Sequence, residues 1–359
     1  MPIRGGNVAT PLVGIIANPV SARDIRRVIA RATNLQITDR ANIVLRILAG
    51  LAEGGVPRVV MMPERAGIEV YIQRGLEQAA RYQSTRFPAV SWLNMQVTGE
   101  AQDTFNAMKQ MAEMNVDLVV VLGGDGTHRL VVKASRDIPI VGVSTGTNNA
   151  FPPRHEATIT GLAAGLAASN QIPASCALSA NKLLEVAIND HKDIALVDAA
   201  VVKEQYTGAK AVWRTESLRE LFVTFGQPDS IGISAIAGLL NPVSREEPEG
   251  RHIILHQDLH SKDKDDSFIT APIAPGLFST LPVQRHQPLQ PFIVTPVTSS
   301  QGSLALDGER EWQFGRNDKV NVTLITNAFH TVNVSACMQF AVSNGLFTAR
   351  RHRDNAPTQ

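Results

Sequence analysis

Cysteine is nearly missing: Cys176 and Cys337 are the only two in 359 residues, they form no metal-ligand spacing, and they are too few for a disulfide framework. That argues against structural zinc and points to a reducing compartment. Charge of one sign is absent as well. Lys and Arg number 34 against 33 Asp and Glu, a net charge of +1, so no global basic excess favours nucleic acid or an anionic membrane surface. Any anionic ligand must be held by a local site. Long apolar runs are lacking too: stretches such as 231–240 are about half of the ~20 residues a bilayer helix needs. At the start, 11–17 is too short for a signal h-region and runs into the turn Asn18-Pro19, so it reads as a first strand of a cytoplasmic protein. What is present is 44% apolar and 19% charged residues, the composition of a globular chain. At roughly 150 residues per domain, two domains are expected.

Between residues 12 and 170, Val- and Ile-rich runs at 12–17, 58–62, 90–97, 117–122 and 138–143 end in Gly, Asn, Pro or Ser. They alternate with helical period at 21–32, opened by the capping-box-like Ser21-Ala-Arg-Asp24, and at 101–115 and 128–135. Such alternation predicts a parallel sheet built from right-handed crossovers. From about residue 172 the period becomes 2. Runs at 183–188 and 194–202 flank a hairpin signal at Asn189-Asp-His-Lys-Asp193, and 253–255, 292–297, 303–306, 319–325 and 331–334 add short strands. One helical pattern, 231–240, interrupts them, and 261–267 reads as a solvated loop. Pro272, Pro275, Pro282, Pro288 and Pro291 demote their region to loops and edge strands. The expected fold class is α/β plus all-β: an N-terminal Rossmann-like parallel α/β domain over 1–172 and a C-terminal β-rich, sandwich-like domain over 173–345. A tail follows over 346–359.

The chemistry concentrates where the apolar run 117–122 meets Gly123-Gly-Asp-Gly-Thr127 and a helix. Glycines there let the backbone approach a ligand and take positive φ, and the helix-start amides make an anion site suited to phosphate. Asp125 is a poor phosphate ligand because like charges repel. In such a loop it would hold Mg²⁺ or take the proton from an attacking hydroxyl, the structural alternative being an Asp that caps a tight strand–helix turn. No lysine follows, so this is not the P-loop pattern. The next run ends in a second polar loop, Ser144-Thr-Gly-Thr-Asn-Asn149, and consecutive βα units would bring both loops to the carboxyl edge of the sheet as a nucleotide crevice.

With these motifs the chain resembles the superfamily of NAD kinases and diacylglycerol kinases, and within it the ATP-NAD kinase-like branch associated with acetoin catabolism. Gly123-Gly-Asp-Gly-Thr127 is similar to the superfamily signature; Asn18-Pro19 with Ser21 resembles the first-strand motif of the lipid kinases, and Thr145-Gly-Thr147 with Asn149 and Phe151 their second loop. The stretch 229–238 looks like a divergent form of a Gly-Ser-Thr-Ala-Tyr run of NAD kinases, and Leu306-Asp-Gly-Glu309 resembles a late hairpin of both branches. The resemblance implies an ATP-dependent small-molecule kinase, most like an NAD kinase, with ATP and Mg²⁺ as cofactors and NAD as a possible acceptor. Asp125 would be the catalytic residue. Gly123, Gly124, Gly126, Thr127, Asn18, Thr145, Gly146, Thr147, Asn148 and Asn149 would bind the cofactor; Asp198, Ser234, Asp307 and Glu309 would face the acceptor; Asp125 and Glu309 would share Mg²⁺. Small-molecule nucleotides and a homo-oligomer, dimer or tetramer, are the expected partners, with no nucleic acid and no membrane.

The chain also departs from its relatives. Where NAD kinases carry an Asn-Glu pair it has Val197-Asp198; Ala150 replaces the aspartate of the lipid-kinase loop, and Ile236 the tyrosine of the NAD kinase run. These apolar positions leave the acceptor open and motivate an alternative: a nucleotide- or NAD-binding regulator without kinase activity. A lipid or sugar acceptor is a third reading. His252, His256 and His260 recur every fourth residue, but 253–255 reads as strand, so metal is not expected there. Arg23, Arg26 and Arg27 could reach phosphates, and Tyr206 to Trp213 could line the acceptor pocket; a solvated helix start and edge packing are the plainer readings.

Overall fold

The computed structural model describes residues 10–18, 35–145, 149–203, 215–256 and 267–348. The expected helix at 21–32 with its arginines, the segment 206–213, residues 261–266, His260 and the end of the tail lie outside them.

Strands β1 (Leu12–Ala17), β2 (Arg58–Met61), β3 (Ala89–Trp92), β4 (Leu118–Gly123) and β5 (Ile140–Ser144) alternate with helices α1 (Ile37–Glu53), α2 (Ile68–Tyr82), α3 (Ala101–Glu113), α4 (Asp125–Ala134) and α5 (Ala157–Ala168). The strands pair in parallel in the order β3-β2-β1-β4-β5. β4 is apolar throughout because both its faces are covered: Val120 and Leu122 pack toward the α1 and α5 side, Val119 and Val121 toward Met108, Met111 and Val131 of α3 and α4. Against expectation, α4 begins at Asp125 itself, inside the glycine loop, and β3 ends at Trp92.

The second half supplies β6 (Leu178–Ile188), β7 (His191–Ala195), β8 (Asp198–Val202), β9 (Leu218–Val223), α6 (Ala235–Leu240), β10 (Gly250–Leu255), β11 (Ser267–Ala274), β12 (Leu277–Leu289), β13 (Val294–Pro296), β14 (Gly302–Leu306), β15 (Glu309–Phe314), β16 (Val320–Val332) and α7 (Val334–Ser343). β16, β6 and β7 extend the first sheet beyond β5, with β13 on β16. The others form an antiparallel sheet, β11-β12-β10-β9-β8-β14-β15. The two sheets bury Leu184, Val186, Val201, Phe222, Leu304 and Leu324 between them; α6 covers the outer face through Ile236 and Ala237. The fold is thus a mixed, largely parallel sheet with helices, joined to an antiparallel β-rich sheet.

Several expected elements are redrawn. The run 194–202 is two strands in different sheets, because the amides of Leu196, Val197 and Asp198 leave the ladder and donate to the Asp307 carboxylate. Runs 319–325 and 331–334 belong to one strand, β16, interrupted between Ile325 and Phe329 where Asn327 takes φ of 51°. Val334 already starts α7, capped by the Asn333 side chain. The proline-rich region is a hairpin of two long strands, not loops. Its edge position fits β11, but β12 lies between β11 and β10 with Pro282 and Pro288 inside it. β11 pairs β12 only as far as Val283, so Pro288 has a paired strand on one side alone.

Candidate active site

β1 and β4 are neighbours, and their carboxyl ends deliver Asn18 and Gly123 side by side, where an open parallel sheet binds ligands. The Asn18 amide donates to the Leu122 carbonyl at 3.2 Å, and its side chain donates to Thr127 Oγ1 at 3.3 Å and Thr104 Oγ1 at 3.4 Å. None of Gly123, Gly124 and Gly126 has positive φ; Gly123 is needed for space, Gly124 is tightly packed, and Gly126 has room for a Cβ. A Cβ on Gly123 would stand 2.5 Å from Thr127 Cβ, one on Gly124 3.0 Å from Asn149 Oδ1, and one on Gly126 3.5 Å from Glu309 Oε1. Three of the expected site residues therefore press on the loop from three sides.

Asp125, the first residue of α4, reaches across to the second loop. The Ala150 amide donates to its Oδ2 at 3.0 Å and the Phe151 amide to its Oδ1 at 2.9 Å. Asn149 ties the same loop back, donating to Ser144 Oγ at 3.1 Å. Below them His128 is completely buried, its Nδ1 at 2.9 Å from the Gly124 carbonyl, and burial lowers its pKa to about 4, so the ring is neutral and Nδ1–H is the donor. Gly146, Thr147 and Asn148 lie outside the described residues; Thr145 is buried at the end of β5.

The late hairpin divides its two acids. Asp307 and Gly308, with φ of 51° and 79°, make the turn, and the Glu309 carboxylate lies over Gly126. Asp307 does not face an acceptor. Its side chain is wholly buried, accepts the Leu196, Val197 and Asp198 amides, and lies 3.8 Å from Arg129 Nε. Burial pushes its pKa up to about 7 against the pull of Arg129 and the amides, and the nearby Asp125 charge adds to the rise. Asp198 and Ser234 are likewise buried, at 5% and 0% exposure, and the Ser234 hydroxyl has no hydrogen-bond partner among the described residues. Val197 and Ile236 are buried in hydrophobic clusters. His252 is a core histidine, 2.7 Å from Glu220 and stacked on Phe222.

Three cations were not anticipated. Arg129 and Lys133, four and eight residues after Asp125 on α4, meet Asp193 at 3.7 and 2.8 Å; the i, i+4, i+8 spacing was the available signal. Arg245 had none. It donates to the Ala150 and Phe151 carbonyls and stacks on Phe225 and Phe151, with its carbon at 4.1 and 4.8 Å from the ring centroids. Among the described residues no three His, Cys, Asp or Glu converge as a metal cage. The Glu309 carboxylate over Gly126 and the Asp125 carboxylate at the start of α4 are the acids that could each contact a Mg²⁺ carried mainly by nucleotide phosphates.

A family model described as the ATP-NAD kinase N-terminal domain matches residues 13–170, and one described as the acetoin catabolism protein X C-terminal domain matches 182–327. The acetoin catabolism protein X of Cupriavidus necator is 49% identical over 338 residues, 92% of either chain. The chain belongs to the acetoin catabolism protein X family. Its fold is kinase-like. A candidate diacylglycerol kinase of Bacillus anthracis superposes with a TM-score of 0.50 at 12% identity, covering 91% of this chain and 98% of that one. Yeast NADH kinase complexed with NADH gives 0.48 at 16% identity, over 96% and 90%. In this acetoin catabolism protein X fold, no helix among the described residues is long and apolar enough to cross a membrane.

Proposed function

We propose that the chain is a phosphotransferase that moves the terminal phosphoryl group of Mg-ATP to a hydroxyl of a small acceptor, of which NAD is the first to test, in the service of acetoin catabolism. The observation that supports this reading is the glycine loop at the start of α4, where the second-loop amides hold the Asp125 carboxylate and the Glu309 carboxylate lies over Gly126. Phosphoryl transfer asks a protein for positioning and charge neutralisation more than for covalent chemistry. Amides of the glycine loop and the α4 start would hold the phosphates, which Mg²⁺ would neutralise. The acceptor oxygen then bonds to phosphorus as the bond to the ADP oxygen breaks, and the hydroxyl proton passes to Asp125, whose placement by the Ala150 and Phe151 amides fixes its direction. The test is ADP release from Mg-ATP with NAD, NADH, sugars and glycerolipids in turn. Turnover with one acceptor, lowered about a hundredfold or more by Asp125→Asn in a protein of unchanged far-UV circular dichroism, is expected. Wild-type rates in that variant would remove Asp125 from the chemistry.

A second reading, a nucleotide-binding regulator, is favoured by the same two hydrogen bonds, since both Asp125 oxygens are already engaged by the second loop. It calls for Mg-ATP binding with no turnover on any acceptor.

A further inference from the structure

Behind the loop that clamps Asp125 lies a cavity of about 600 Å³ whose walls come from both halves of the chain. Gly142 of β5 and Asn149, Ala150 and Phe151 form one wall; Asn181 of β6 and Thr331 of β16 form another; Ser230 and Arg245 close the far side. Asn149, Asn181, Thr331 and Ser230 give the walls amides and hydroxyls among apolar groups. Arg245 is the inner cation. It is half-buried, and among the described residues no carboxylate lies within ion-pair distance of it. One terminal nitrogen is used on the Ala150 and Phe151 carbonyls, and Phe151 and Phe225 hold the guanidinium. Nε and the other terminal nitrogen have no hydrogen-bond partner and are not among the sealed atoms.

The segment that presents Arg245 is fixed from both ends. Lys182 Nζ donates to the carbonyls of Ser244, Glu247 and Glu249 at 2.6 to 2.9 Å, and Arg251 donates to those of Asn241 and Pro242 at 3.0 and 2.9 Å. A cation held rigid in advance loses little freedom on binding, and a guanidinium with two free donor nitrogens suits a carboxylate or phosphate. Arg154 adds a second cation at the lining, and the acids Asp229 and Glu246 stand exposed at the rim. Burial lowers the Arg245 pKa only to about 10, so the charge persists at neutral pH.

We infer that this cavity binds a small polyhydroxylated anion, one carboxylate or phosphate on Arg245 with its hydroxyls among Asn181, Ser230 and Thr331. As the acceptor of the proposed transfer, that ligand rests on the phosphotransferase reading; as a ligand, it does not. The acceptor idea is natural because residues 149–151 are at once the wall of the cavity and the clamp on Asp125.

The experiment is calorimetric titration of the full chain with glycerate, glycerol 3-phosphate and neutral glycerol, with and without Mg-ATP. At least one anion should bind ten times more tightly than glycerol, and which one distinguishes carboxylate from phosphate. That advantage should vanish in Arg245→Gln and, because Arg245 also braces the loop, in the independent rim variant Ser230→Phe, which fills the cavity. The inference is overturned if neither anion outbinds glycerol, if the preference survives in Ser230→Phe, or if Mg-ATP displaces the anion, which would place it at the glycine loop. Anion binding to the wild type that both variants abolish, without ADP release, upholds the ligand site and counts against the phosphotransferase reading instead.

Discussion

Glu309 and Asp307 are separated by one glycine and have opposite fates, which is decided by the turn: Asp307 points under the hairpin to three amides, Glu309 over it to Gly126. Glu309→Gln should therefore reduce turnover or Mg²⁺ affinity while moving the melting temperature by no more than a degree or two, since a part-exposed turn acid adds little stability. A fully active variant would make the hairpin structural only. Gly142 provides a cleaner packing test. A Cβ there would stand 2.8 Å from His128 Nε2 and 3.1 Å from Pro152 Cβ, and neither neighbour is a free-swinging chain end. Gly142→Ala should cost about 1–3 kcal/mol in urea denaturation, as overpacking does in a filled core. A neutral result would mean that the His128 ring can shift. At this scale the strand, glycine loop and helix around Asp125 were legible from residue type and spacing, whereas the place of Glu309 came only from the resemblance. Asp307 was misplaced because a polar residue that satisfies the fold reads the same as one that awaits a ligand. Arg245 was invisible because its role comes from Phe151 and Phe225, remote in sequence.

Among the elements, α1 and α5 pack with unusual closeness. A Cβ on Gly50 would be 2.4 Å from the Thr158 carbonyl oxygen, one on Gly161 2.3 Å from that of Ile47, and one on Gly54 2.6 Å from Gly165 Cα. The obstacles are backbone, so the helices must separate if a methyl is added, and α5, rich in Ala and Gly, has little side chain to fill the gap. Gly161→Ala is expected to lower stability by more than about 2 kcal/mol, several degrees in melting temperature, despite alanine's better helix propensity. A stabilised variant would show that the two helices can part without loss of packing. The parallel strands β1, β2, β4 and β5 were readable within a residue or two, since buried runs bounded by turn residues carry their own boundaries. Harder to read were elements whose limits are set from outside. The break between β7 and β8 is made by Asp307, more than a hundred residues away, and β12 keeps Pro288 where β11 no longer pairs with it.

Across the whole molecule, α4 is stitched to the second half by alternating charges, Asp125 near Arg245 and Asp307, Arg129 between Asp307 and Asp193, and Lys133 on Asp193. Two buried groups at this junction titrate in opposite senses. The His128 pKa falls from 6.5 to about 4 on folding, so between those values the unfolded chain holds more protons and stability is lost as pH falls. For Asp307 the value rises from 3.8 to about 7; there the folded chain holds more protons, and stability is lost as pH rises through that window. Each full span corresponds to roughly 3–5 kcal/mol at about 1.4 kcal/mol per unit. From about pH 4 to 6.5 the two slopes therefore oppose and nearly cancel in the wild type. Removing either group should expose the other. Asp307→Asn keeps an amide oxygen for the 196–198 amides and should show a urea midpoint that climbs with pH from about 4 to 6.5. His128→Gln should show one that falls from about 4 to 7. Each variant will also shift its whole curve through altered packing, but a constant offset leaves the slope intact. Variants whose midpoints run parallel to the wild type across that range would show that neither burial is held through folding, and that the junction between the halves admits water.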